Sequence, residues 1–145
     1  MAADQKIDPL DEDDVLNLDN ARRWVKDHFK PEAQHKFDIV EEKLRLIQTI
    51  LDANWIEPSE TRKLQTLGVV FGDALAEKME LMWVMVEDEY GRDPALMMPK
   101  TTILLFPLTA ISKRVEDGEA VDVADLFKGF CERVVALKEE GTQPQ

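Results

Sequence analysis

Apolar residues recur along the chain at two different periods, and the change from one to the other separates helices from strands. From Leu18 to Phe29, Ala21, Trp24, Val25 and the His28/Phe29 pair fall at helical spacing, with Asp19 or Asn20 as N-cap and Pro31 as the stop. Phe37, Val40, Leu44, Ile47 and Leu51 then repeat at alternating intervals of three and four, and Leu46 and Ile50 widen the stripe. Residues 34–54 are therefore expected to form an amphipathic helix. The "EPSE" at 57–60 breaks the chain and restarts it, because Pro58 suits a first helical turn and acids favour the positive end of a helix. The third helix runs to about Lys78 and buries Leu64, Leu67, Phe71 and Leu75.

Gly68 and Gly72 stand four apart inside that helix. Each is about 1 kcal/mol worse than alanine there, so close approach of another backbone is expected to compensate. A phosphate cradle would need a strand before it and a free helix N-terminus after it, and this pair has neither.

At "LMWVMV", residues 81–86, the period falls to two: Trp83 and Met85 face one way, Met82, Val84 and Val86 the other. "EYGRDP" supplies turn chemistry, "ALMM" a second strand and "TTILLF" a third. Pro94 belongs at a strand start or an edge. Pro107 opens a helix with Leu108, Ile111 and Val115 inward and Gly118 at its end. Asp122 caps a last helix whose core face is Val123, Phe127, Phe130, Val134 and Leu137. The predicted class is α+β: three N-terminal helices, a three-stranded antiparallel meander and two C-terminal helices, with helices covering much of the sheet.

Charge changes the reading at the ends. The 145 residues carry 18 Lys and Arg against 30 Asp and Glu, a net charge of −12. Half of that excess lies in residues 1–20, so 1–17 is expected to be an acidic disordered tail, with 18–139 one α+β domain and 140–145 a second tail. The acidity disfavours nucleic acid and anionic lipid as partners. No secretion signal and no apolar run near the roughly 20 residues of a membrane span is present, and the one cysteine, Cys131, fits a reducing compartment. The expectation is a soluble cytoplasmic protein.

"LQTLGVVFGDAL", "WVMVEDEYGRDPAL" and "LLFPLTAISKRVEDGE", in that order, resemble a bacterial family catalogued as domain of unknown function 3806, across roughly Gln48 to Phe130. The resemblance implies an α+β domain of bacterial origin and transfers no catalytic residue.

Candidate chemistry concentrates in "VEDEYGRDPALMM", residues 86–98. As acid/base groups or ligands of a hard cation, Glu87, Asp88, Glu89 and Asp93 would have to converge, yet strand alternation sends Glu87 and Asp88 to opposite faces. The same residues suit a hairpin in which Asp88 or Asp93 accepts from turn amides and Arg92 pairs with a neighbouring acid. Glu89 and Tyr90 form a candidate recognition tip. In "SKR" at 112–114, Ser112 and Lys113 project away from the core face, whereas Arg114 lies near its border, where a guanidinium can reach the acidic hairpin; Asp73 is a second candidate for such a network. His28 and His35 have no metal-binding context, Cys131 reads as a buried thiol, and the Met79–Met98 methionines pack a sheet or, if exposed, make an adaptable patch. No metal or cofactor is expected.

With no nucleophile–base pair, metal set or phosphate loop, the leading expectation is a non-enzymatic protein-binding module, inhibitor- or immunity-like, with a basic partner. The alternative is a small enzyme with a carboxylate/arginine site at the 87–93 hairpin. The two differ in whether Asp73, Asp88, Asp93 and Arg114 converge in one concavity or disperse.

Overall fold

Helix α3 (Thr61–Met79) carries the centre of the core in the computed structural model, which describes residues 5–101 and 103–142. Leu64, Leu67, Val70, Phe71, Ala74 and Leu75 on it have no solvent exposure, and each such large side chain contributes about 1.5–3 kcal/mol of burial. Around it pack α1 (Glu12–Lys26), α2 (Val40–Asp52), α4 (Leu108–Glu116) and α5 (Val123–Thr142). A 3-10 helix, Pro31–Asp38, joins α1 to α2. The ring of Phe71 meets Phe127 and Phe130 of α5 edge-on, at centroid distances of 5.8 and 5.5 Å.

Strands β1 (Lys6–Asp8), β2 (Met82–Asp88), β3 (Gly91–Met97) and β4 (Leu104–Leu105) form one antiparallel sheet in the order β1-β2-β3-β4. The α+β class and the inward helix faces are as the sequence indicates, but the layout differs in detail. The sheet has four strands instead of three, because Ile7 is placed opposite Val86 and adds an edge strand from the far end of the chain. The last strand is confined to Leu104–Leu105, and the expected 34–54 helix divides into the 3-10 segment and α2.

The acidic segment is the main correction. Instead of a disordered tail ending at residue 17, residues 6–8 form β1 and α1 begins at Glu12, capped by Asp11 rather than by Asp19 or Asn20. Asp11 Oδ1 accepts the Asp14 amide at 2.8 Å, and Asp14 Oδ2 accepts the Asp11 amide at 2.9 Å, a reciprocal capping box. Glu12, Asp13 and Asp14 sit in the first turn, where the helix dipole favours negative charge. Acidity that would extend a free chain thus starts a helix. Residues 1–4 of the expected tail, and 143–145 of the C-terminal one, lie outside the described residues.

Gly68 meets the close backbone approach expected of the pair, whereas Gly72 makes room for side chains instead. A Cβ on Gly68 would lie 2.5 Å from Leu108 Cα, and one on Gly72 would lie 2.6 Å from the Trp83 ring and 2.9 Å from Pro107 Cγ. The bare α3 backbone is what lets the start of α4 rest against it.

One face of the sheet joins the helical core, and the other carries a second buried cluster. Leu96, Met98 and Leu105 join the helical core, with Trp83 packed against it. On the opposite face, Val84, Val86 and Ala95 form a separate cluster completed by Ile7, Met97 and Leu104, all from the strands themselves. Met82, by alternation on that face, is 46% exposed, and Phe106, two residues beyond Leu104, is 44% exposed.

Candidate functional site

The β2–β3 hairpin pairs Asp88 with Gly91 and leaves Glu89 and Tyr90 as a two-residue tip. Asp88 Oδ1 accepts the Tyr90 amide at 2.8 Å, which closes the turn locally, and Gly91 holds φ of 134°, a value that favours glycine. Tyr90 is 88% exposed. Glu87, Asp88, Glu89 and Asp93 surround it, all exposed, and among the described residues Glu87, Glu89 and Asp93 make no side-chain hydrogen bond or ion pair. The tip is an aromatic ring within uncompensated negative charge.

Arg92 leaves this tip on the other face. Instead of a neighbouring hairpin acid, its partner is Asp14 of α1: Nη1 donates to Oδ1 at 2.6 Å and Nη2 to Oδ2 at 2.7 Å. Asp11 lies 3.8 Å from the same guanidinium. Asp14 is only 7% exposed, and the fork from Arg92 holds its carboxyl well below the usual carboxylate range, against the opposing effect of burial. A depressed folded-state pKa contributes stability that is complete above the unfolded value, about 4, and is lost as pH falls through the folded one. Asp14→Asn is therefore expected to melt lower than wild type at pH 7 and to flatten the loss of stability below about pH 4, measured by thermal melts across pH.

Asp73 belongs to a second brace, with Arg22 rather than Arg114. Arg22 Nε and Nη2 donate to its two oxygens at 2.6 and 2.8 Å, Trp83 Nε1 donates to Oδ1 at 2.9 Å, and Arg22 Nη1 reaches Asp19 at 2.8 Å. These bonds, chiefly those to Asp73, raise the Arg22 pKa. The carboxylate ties α1 to α3 and to β2. Asp73→Ala would strand a half-buried guanidinium and an indole N–H, at an expected cost of about 2 kcal/mol in denaturant unfolding.

Arg114 donates from Nη1 to the Ala110 carbonyl of its own helix, at 2.9 Å, and lines a cleft with α5 instead of reaching the hairpin. Ser112, expected to project outward, is buried at 2% exposure. None of Asp73, Asp88, Asp93 and Arg114 bonds another. Trp83, which carries the Asp73 contact, and Asp88 are five residues apart on one strand, roughly 17 Å. The acids and arginines disperse into two structural braces and one tip.

His28 donates from Nδ1 to the Trp24 carbonyl at 2.9 Å, since the carbonyl can only accept, and its ring lies between Trp24 and Trp55. Burial raises the Cys131 thiol pKa despite Lys78 nearby. Among the described residues no group of three His, Cys, Asp or Glu side chains is placed to hold a metal ion, and no helix is long and apolar enough to cross a membrane. Sequence reading missed Arg22 and Asp14, whose partners lie 51 and 78 residues away; the acid preference of a helix first turn was the one signal available for Asp14.

A family model described as Domain of unknown function (DUF3806) matches residues 43–127, a stretch that holds Asp73, the hairpin and Arg114 but neither Arg22 nor Asp14. No curated protein matches the sequence. A crystal structure from Bacteroides thetaiotaomicron VPI-5482, at 1.50 Å resolution, shares the fold with a TM-score of 0.73 at 17% identity, over 89% of this chain and 48% of that one. This chain spans about half the length of that relative.

Proposed function

The chain belongs to the family designated Domain of unknown function (DUF3806), and from its geometry we propose that it works as a non-enzymatic protein-binding module. Its partner is a protein with an apolar strip flanked by basic residues, and an inhibitor of such a protein is the role this surface fits. The observation that carries the reading is the set of exposed large side chains Met82, Phe106 and Tyr90 on the sheet and its hairpin, beside a strand cluster of Val84, Val86 and Ala95 that is itself buried. Large apolar and aromatic side chains left exposed next to one another have the make-up of a contact surface. The unpaired acids around Tyr90 continue along the same hairpin and add steering toward positive charge. Methionine at positions 82 and 97 gives the face an adaptable edge.

Photo-crosslinking residues placed at Met82, at Tyr90 and, as a control on α5, at exposed Val135 test this in the source cells. One common adduct is expected from positions 82 and 90 and none from 135. The purified partner is expected to bind roughly tenfold more weakly when salt rises from about 0.05 to 0.3 M, or when Glu89 is replaced by Lys. Equal adducts at all three positions, a second copy of this chain as the adduct, or salt-insensitive binding would overturn the proposal. Glu89→Ala, which removes only an exposed charge, is expected to stay within about 0.5 kcal/mol of wild-type stability, so that lost binding reports recognition.

A further inference from the structure

We infer that the cleft between α4 and α5 is a subsite for a small ligand bearing an oxyanion, phosphate or carboxylate, on a short apolar body. The cleft has a volume of about 310 Å³ and is lined by Arg114, Asp125, Leu126, Gly129, Phe130 and Arg133. It lies apart from the sheet face proposed for protein binding.

Arg114 and Arg133, both exposed, line this space, and neither has a carboxylate within ion-pair distance among the described residues. Arg22, Arg45 and Arg92 do, while Arg23 and Arg62, outside this cleft, do not. Asp125 lines the same cleft, yet it sits in the first turn of α5, where the helix dipole offsets its charge, and it leaves both arginines unpaired. The Ala110 carbonyl fixes one edge of the Arg114 guanidinium through Nη1, leaving Nε and Nη2 for a second acceptor. A planar fork held in this way is suited to an oxyanion.

Gly129 supplies the second, independent sign. It lies inside α5, where alanine is the better helix former, and a Cβ there would meet nothing within 4 Å. The packing that explains Gly68 and Gly72 therefore does not explain Gly129. A backbone left bare toward an open cleft, beside two unpaired arginines, allows a ligand group to approach the helix closely. Half-buried Leu126 and Phe130 offer apolar contact to the rest of the ligand.

The full-length chain, titrated at constant ionic strength with inorganic phosphate, phenyl phosphate and benzoate, provides the test through amide and arginine Nε chemical shifts. Saturable shifts are expected at Gly129 and at Nε of Arg114 and Arg133. Phenyl phosphate binding more tightly than inorganic phosphate would support the apolar contribution, and the order of phenyl phosphate and benzoate assigns the oxyanion. Arg114→Gln, Arg133→Gln and Gly129→Ala should each weaken binding about tenfold while the melting temperature holds or rises. Linear, unsaturated shifts spread over surface lysines, or undiminished binding in Arg133→Gln, would overturn the inference.

Discussion

Gly68→Ala is expected to destabilise the fold by about 3 kcal/mol, enough to leave a marginal domain partly unfolded at 37 °C, whereas Gly129→Ala is expected to stabilise it by about 0.5–1 kcal/mol. The two substitutions add the same methyl group to a helix interior and differ only in what that group meets. At Gly68 it would lie 2.5 Å from Leu108 Cα, 2.7 Å from the Leu108 carbonyl oxygen and 2.9 Å from its carbon. These are backbone atoms at the first turn of α4, so no rotamer change can relieve the overlap; α4 has to move as a body. Moving it disturbs Ile111, which is fully buried, and Pro107, which packs near Gly72. At Gly129 the methyl enters open space and the only change is a better helix former. Urea unfolding of the pair is the measurement. Equal stabilities would mean that α3 and α4 are not in backbone contact.

Most of the helical architecture is legible in the sequence because long apolar stripes fix which face is inward. Leu64, Leu67, Phe71 and Leu75, read from spacing, are all fully buried, and the Gly68/Gly72 pair announces a close approach because two glycines one turn apart on the inward face of a helix weaken it unless something packs there. Strand β1 is not legible, since three residues carry no periodicity and their partners lie some 80 positions away. Arg92 shows the same limit in the site: an arginine beside four acids suggests a local pair, yet its fork closes on Asp14, brought near only by tertiary packing. Composition was misleading at the start of the chain for a related reason. A run of acids raises the energy of a free coil by repulsion, but the first turn of a helix and an arginine from the sheet both stabilise it.

Deleting residues 1–15 is therefore expected to lower the melting temperature by roughly 10 °C or more. The deletion removes β1 and its pairing with Met85, Val86 and Glu87, exposing the edge of β2. It removes Asp11, whose loss as a cap alone costs about 1 kcal/mol, and the whole first turn of α1. It also leaves the Arg92 guanidinium without the Asp14 carboxylate it grips through two bonds. What remains of α1 still carries Leu18 and Val25 into the core and Arg22 to Asp73, so the helices are expected to persist while the sheet end of the molecule loosens. Amide exchange should locate that loosening in β2 and β3, with α3 and α5 protected until global unfolding. Melting Asp11→Ala and Asp14→Asn beside the truncated chain separates the cap and the ion pair from the strand. A truncated chain that melts with the full-length protein would return this segment to the status of a free acidic tail, and would require another explanation for the near-complete burial of Asp14.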